Sequence, residues 1–373
     1  MALLRNCWYV AAWGHEVGRT LLGRKVLEEP MVLYRTESGA PAALLDRCPH
    51  RLLPLSKGTL KGDTIECGYH GLTFDCSGQC VRAPGQERIP PTAQVRSFPA
   101  VEHMGMVWVW PGDPLLADKV KLFDQLPQWA ASQLASPAWG LNIGPYTHVK
   151  ANYQLLTENL VDPAHVTYVH KSTLGTAAMA DIPIETTQIG DTLLVTRWTP
   201  DSPAAPILQR FGKWPGNVDR WQYYWLYPPS IAVVDFGSHL PGMERTEVAR
   251  DEGIRIYSCH FLTPETEAST HYFWLQLRNF AQTDAAVSQD IVDQFVLAFD
   301  EDKTILEAIQ EAEADPRVET RVKLALDSGS VRLRRTVARL IDEEQAAATP
   351  SPSGTSAGVP ARHGAKSPTP VSH

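Results

Sequence analysis

Cys48-Pro49-His50 and, after a spacer of sixteen residues, Cys67-Gly68-Tyr69-His70-Gly71-Leu72-Thr73-Phe74-Asp75 decide how this chain is read. Each short loop offers one thiolate and one imidazole, four ligands in all. A Cys2His2 set suits tetrahedral zinc. Zinc fingers, however, pair Cys with Cys in one loop and His with His on a helix, whereas both loops here are mixed and lie between strand-forming runs. Mixed loops suit an iron–sulfur cluster in which one iron takes both cysteines and the other both histidines. Gly68, Gly71 and Gly78 would let the loop backbone approach the sulfides.

Working outward, residues 1 to about 112 read as short strands punctuated by Gly, Pro and Asp: CWYVAAW, KVLEEPMVLYRT, PAALLDR, TIECGYHGLTFD and GMVWVWP. From 113 to 180 the pattern turns helical, above all around TENLVDPAHVTYVH. TLLVTRWT, WQYYWLYPPSIAVVDFG, IRIYSCHFLT and HYFWLQLRNF then alternate as a half-buried antiparallel sheet would. Helix formers return from Ser288 to about Ala314 and from Val331 to about Gln345. The expected class is α+β. An all-β domain spans 1–112, and a domain over 113–345 carries a large antiparallel sheet flanked by helices in a helix-grip-like arrangement. Residues 346–373 are Pro, Ser, Gly and Ala with little to bury, so a disordered tail is expected.

The 373 residues are 43% hydrophobic, enough for two domain cores. A net charge of −8 and no visible basic patch argue against nucleic acid. No apolar run is long enough to span a membrane, and the start lacks the features of a signal peptide, so a cytoplasmic protein is expected. The six cysteines are too irregularly spaced for a disulfide framework. Cys76 and Cys80 are surplus to the four ligands and read as small buried residues on a strand and turn.

A second constellation lies in Asn159-Leu-Val-Asp162-Pro-Ala-His165-Val-Thr-Tyr-Val-His170. Residues 159, 162 and 165 would share one helix face, while His170 falls off it, so Pro163 must loosen the helix if both imidazoles are to meet one ion. A facial triad on Fe(II) needs a further carboxylate. Asp302 sits inside an apolar stripe of Val292, Phe295, Phe299, Leu306 and Ile309, where an unpartnered charge is costly. A metal or an arginine would satisfy it. Asp300 and Glu301 read as solvated charges off the stripe.

CPHR with CGYHGLTFDCSGQC closely resembles the signature of Rieske oxygenases, and ENLVDPAHVTYVH with FDEDKTILEAIQ resembles the iron-binding segments of the vanillate and dicamba O-demethylase type. The likeness covers most of residues 1–345. It implies a 2Fe-2S cluster on Cys48, His50, Cys67 and His70, and a mononuclear Fe(II) on His165, His170 and Asp302. Asp162 would link a cluster histidine to an iron-bound histidine across a subunit boundary, with Asn159 near the iron. It further implies a monooxygenase component of a head-to-tail homotrimer, taking O2 and electrons from NAD(P)H through a separate reductase or ferredoxin. The substrate would be small and aromatic, and the reaction an O- or N-demethylation with formaldehyde release, or a methyl or ring hydroxylation. A bare electron-transfer Rieske protein would end near residue 112. Trp221, Tyr223, Trp225, Tyr227, Phe236 and Phe273 are candidates to stack on a ring, and Arg197, Arg245, Arg250 and Arg278 to pair with a substrate carboxylate.

Overall fold

In the computed structural model, which describes residues 2–117, 122, 128–317 and 322–348, the N-terminal strands pair antiparallel throughout. Met106–Val109 lies between Tyr9–Trp13 and Ala100–His103, and Leu22–Val26, Glu29–Arg35, Pro41–Leu45 and Ser97–Phe98 form a second sheet in that order. KVLEEPMVLYRT, expected as one strand, is a hairpin. Leu27 and Glu28 take φ of 50° and 67°, the handedness that a tight two-residue turn requires. Their amides donate to Pro264 and Glu265 oxygens at 2.8 and 3.0 Å, so the second domain holds the turn that the local sequence does not announce. Thr59–Lys61, Thr64–Glu66, Thr73–Phe74 and Cys80–Arg82 make the sheet that carries the cysteine–histidine loops.

The second domain is built on an eight-stranded antiparallel sheet among the described residues. Its path runs Gly140–Ile143, Ser269–Arg278, Ile254–Thr266, Ile231–His239, Val218–Tyr227, Thr192–Ser202 and Ile184–Ile189, with Thr147–Val149 also on Ser269–Arg278. WQYYWLYPPSIAVVDFG splits at Pro228-Pro229, which lack the amide hydrogens a ladder needs. The strands Val218–Tyr227, Ile231–His239, Ile254–Thr266 and Ser269–Arg278 are buried on both faces rather than half-buried, whereas Thr192–Ser202 alternates over 192–199 as expected. Tyr272, Trp274 and Phe236 face the helices, where Phe295 and Phe299 meet them. Phe261, Phe273 and Leu275 face Trp8, Trp13 and Trp108 of the first domain. A two-residue side-chain period thus puts an aromatic on each side.

The helix Ala285–Glu313 is capped by Asp284, whose carboxylate accepts from Ala286 and Val287 amides at 2.9 and 3.1 Å. Ile291, Phe295, Phe299 and Leu306 face the core, but Ile309 does not; at 39% exposure it marks where the stripe leaves the sheet. The last helix, Ser328–Ala348, runs past the expected end at 345 and lays Leu333, Val337 and Ile341 on Val195, Tyr224 and Leu226. The rest of the expected tail, 349–373, lies outside the described residues. Among the described residues no helix is long and apolar enough to cross a membrane.

Candidate active site

The two cysteine–histidine loops are copies of one turn. Cys48 donates its amide to Leu53 O (2.9 Å) and accepts from Leu52 (2.9 Å); Cys67 donates to Leu72 O (2.8 Å) and accepts from Gly71 (3.0 Å). Each turn needs a positive φ four residues after its cysteine, 61° at Leu52 and 73° at Gly71. Glycine adopts this freely, whereas a leucine there costs about 1–2 kcal/mol. Gly68 and Gly78 serve a different purpose from the one expected: their missing side chains make room for the Lys57 and Val95 carbonyls, 2.9 and 2.0 Å from where a Cβ would stand. Cys48 and Cys67 are buried, while His50 and His70 are exposed with ring centroids 4.4 Å apart. Burial raises the Cys48 pKa, and backbone amides of His50 and Arg51 oppose it by hydrogen bonding to the sulfur. Desolvation and the nearby His50 and Arg51 lower that of His70, favouring the neutral ring a metal requires. The thiols form an inner end and the imidazoles an outer one, a donor set that fits a 2Fe-2S cluster. Cys80 is buried as expected; Cys76 is exposed on the turn, because Asp75 and Ser77 fold that turn away from the sheet.

The second constellation does not share a helix face. Tyr153–Asn159 ends at Asn159, and Asp162-Pro163-Ala164 forms a turn in which the Asp162 carboxylate accepts the Ala164 amide at 2.7 Å. A four-residue helix, Val166–Val169, follows with His165 at its start and His170 at its end. Pro163 forbids the helical conformation just before it, which separates the two segments. Gly175 closes the unit, donating to His170 O at 2.7 Å where a Cβ would stand 2.2 Å from Val166 O.

His165, His170 and Asp302 converge, one ligand atom from each lying within 4.8 Å of the others. The Nε2 atoms of His165 and His170 stand 3.6 and 3.2 Å from Asp302 Oδ1. Three ligands on one octahedral face with bonds of about 2.1 Å would be roughly 3 Å apart. Asn159 donates its side-chain amide to the same oxygen at 3.0 Å. Among the described residues no Lys or Arg pairs with Asp302, which removes the arginine alternative. Among the described residues His165 Nδ1 is buried without a hydrogen bond, with Asp162 Oδ2 at 3.7 Å. His170 Nδ1 instead meets Glu301 Oε2 at 2.8 Å. Glu301 is therefore not the solvated charge expected: helix neighbours project about 100° apart, so residues 301 and 302 reach opposite sides of one imidazole. Burial disfavours the charged His170 ring, but Asp302 and Glu301 outweigh it and raise its pKa.

A cavity opens beside these residues, walled by the long helix and the inner face of the sheet. Of the six aromatics expected, Trp221 and Phe236 line it, joined by Tyr224. Phe273 faces the other domain, Trp225 and Tyr227 pack in that same cluster, and Tyr223 lies under Arg250. None of the four expected arginines lines the cavity. Arg197 bonds Gln222 Oε1 at 2.9 and 2.7 Å, Arg245 lies over Trp198, Arg250 pairs with Glu247, and Arg278 binds Asn142. Arg220 does line it. It is 4% exposed and held by Thr176 Oγ1, Leu174 O and Pro203 O, with no carboxylate partner among the described residues. Burial and the neighbouring Arg197 lower its pKa to about 10. The signal was its parity with Gln222 and Tyr224 on one strand. Ser258 Oγ and His260 Nε2, also on the wall, have no hydrogen-bond partner among the described residues.

Residues 7–99 match the Rieske 2Fe-2S domain and residues 149–343 the vanillate O-demethylase oxygenase C-terminal domain. The chain is 38% identical over 353 residues to the toluene-4-sulfonate monooxygenase system iron-sulfur subunit of Comamonas testosteroni, covering 93% of this chain and 99% of that one. It is 36% identical to the dicamba O-demethylase oxygenase component of Stenotrophomonas maltophilia (93% and 100%) and 34% to a vanillate O-demethylase oxygenase subunit of a Pseudomonas species (92% and 96%). Dicamba monooxygenase bound to 3,6-dichlorosalicylic acid superposes with a TM-score of 0.84 at 34% identity over 93% of this chain and all of that one. A structure of the same enzyme with non-haem iron and dicamba gives 0.77 at 33% identity over the same shares. The chain belongs to the Rieske non-haem iron oxygenases of the vanillate O-demethylase type, oxidoreductases that carry a Rieske 2Fe-2S cluster and a mononuclear iron.

Proposed function

We propose that this chain is the oxygenase component of a multicomponent monooxygenase that demethylates a small aromatic compound. Residues 1–112 form its cluster domain and 113–345 its catalytic domain. Cys48, His50, Cys67 and His70 hold the cluster; His165, His170 and Asp302 hold the iron. The observation that carries the reading is the convergence of two Nε2 atoms and one carboxylate oxygen at the wall of an aromatic-lined cavity. When bound, the cluster supplies single electrons and the iron the capacity to activate O2. The chain's own residues do the rest: Trp221, Tyr224 and Phe236 offer faces to a ring, and Arg220 meets an acid group on it. Asn159 holds Asp302 in place. Phe295 and Phe299 add apolar surface to the cavity wall.

With O2, two electrons and two protons, a methoxy carbon gains one oxygen atom and the other leaves as water. The resulting hemiacetal collapses to formaldehyde and a phenol. Dicamba and vanillate O-demethylase components support this outcome. The toluene-4-sulfonate monooxygenase subunits, at 38–39% identity, favour a second reading in which a ring methyl is hydroxylated and kept.

Electrons reach the cluster from NAD(P)H through a separate reductase or ferredoxin. We place the protein in the cytoplasm, a reading supported by six cysteines that form no disulfide, and assemble it as a head-to-tail homotrimer, supported by the outward-facing His50 and His70. The test is iron and acid-labile sulfide analysis of anaerobically purified protein, then methoxylated aromatics with formaldehyde as readout. About three irons and two sulfides per chain are expected. Zinc without sulfide would sink the assignment, and turnover without formaldehyde would favour hydroxylation.

A further inference from the structure

We infer that Glu301 is a positioning residue of the iron site, the acceptor that fixes which nitrogen of His170 faces the metal. This rests on the reading of His165, His170 and Asp302 as the ligands. A neutral imidazole carries its one proton on either nitrogen, and only the bare nitrogen can bind a metal. An ionised carboxylate accepts and does not donate. Glu301 Oε2, 2.8 Å from Nδ1, therefore holds the proton there and leaves the lone pair of Nε2, which stands 3.2 Å from Asp302 Oδ1, free for the metal.

Three observations distinguish this from an incidental surface contact. His170 is almost wholly buried, so water does not compete at the ring. Among the described residues His170 is the only hydrogen-bond or ion-pair partner of Glu301, which has no lysine or arginine to draw it elsewhere. Finally, Glu301 and Asp302 are consecutive on one helix, so the ligand and the group that orients its neighbour move together. The other ring differs: His165 Nδ1 has no hydrogen bond and Asp162 stands 3.7 Å away. One histidine is thus locked to the long helix, and the other keeps its outer nitrogen free for the link that Asp162 would make.

The test uses the full chain with its cluster, stripped of mononuclear iron and titrated with Fe(II), with cluster absorbance reporting that the fold is intact. Glu301→Ala is expected to weaken Fe(II) binding about 10- to 100-fold and to alter the electron paramagnetic resonance of the nitric-oxide-treated ferrous protein. Glu301→Gln keeps an acceptor oxygen for Nδ1–H, so it should stay close to wild type in both readouts and decides the matter if Glu301→Ala folds poorly. Asp300→Ala, an exposed neighbour, should change neither. Unchanged affinity and spectrum in Glu301→Ala, or a Glu301→Gln protein as weak as Glu301→Ala, overturns the inference. A wild-type protein that takes up no Fe(II) overturns the ligand assignment itself, before any variant is compared.

Discussion

Asp162 and Glu301 carry the same charge and stand behind the two histidines of one site, yet at 3.7 and 2.8 Å they hold those rings differently. The looser contact belongs to Asp162, the residue proposed to link the iron site to a cluster histidine. Asp162→Ala should retain both metals and lose electron transfer between them, read as the rate at which O2 and substrate reoxidise the reduced cluster in a single turnover; a wild-type rate would remove the linking role. His165→Ala should instead lose the mononuclear iron while cluster absorbance stays, seen in the iron-to-sulfide ratio. Arg220 has its own test. A hydrogen bond to a charged group is worth about 1.5–3 kcal/mol, so Arg220→Gln should raise KM for ring acids about 10- to 100-fold while sparing their neutral amides. Equal effects on both would assign Arg220 to structure alone, through its bonds to the 174–176 segment.

At the scale of elements, the long helix links core packing to the site. Phe299 touches Trp274, Tyr272 and His260, and Asp302 follows within one turn. Phe299→Ala should cost about 3–5 kcal/mol, measured by urea unfolding, and weaken iron binding as Asp302 loses its support. The strand Ile254–Thr266 brings a pH dependence. His260 is buried, bonded to Tyr272, and held to a pKa of about 3 by burial against 6.5 when unfolded. Its folded pKa is the lower one, so the unfolded chain takes the proton first. Stability is full above pH 6.5 and falls as pH drops toward 3, by up to about 1.4 kcal/mol per unit. The urea midpoint should therefore decline between pH 7 and 5 in addition to any other group's effect, and His260→Gln should remove that part of the slope.

For the whole molecule, the proposed head-to-tail arrangement makes a prediction that a self-contained chain does not. A Cys48→Ser chain should lack a cluster but keep its iron site, and an Asp162→Ala chain should keep its cluster but receive no electrons at its iron. Co-expressed, the two should regain activity that neither shows alone, measured as formaldehyde release; no recovery would sink the trimeric relay. Much of the fold, and the grouping of the candidate site residues, was legible in the sequence. The Cys–His loops and the paired histidines of the second constellation are local motifs that fall within a few residues whatever the rest of the chain does. Asp302 was legible because a carboxylate in an apolar stripe has few physical explanations. The order of strands and the two long helices followed from side-chain period. What the tertiary structure alone decided depends on groups far apart in the chain. Glu301 looked solvated because its partner lies 131 residues away. Arg220 looked like any strand arginine until the sheet turned it into the cavity. The Leu27-Glu28 turn is held by carbonyls of another domain. Sequence pattern reports which face of an element a residue occupies; only the packing of elements settles what stands opposite, and for a buried charge that opposite group determines its role.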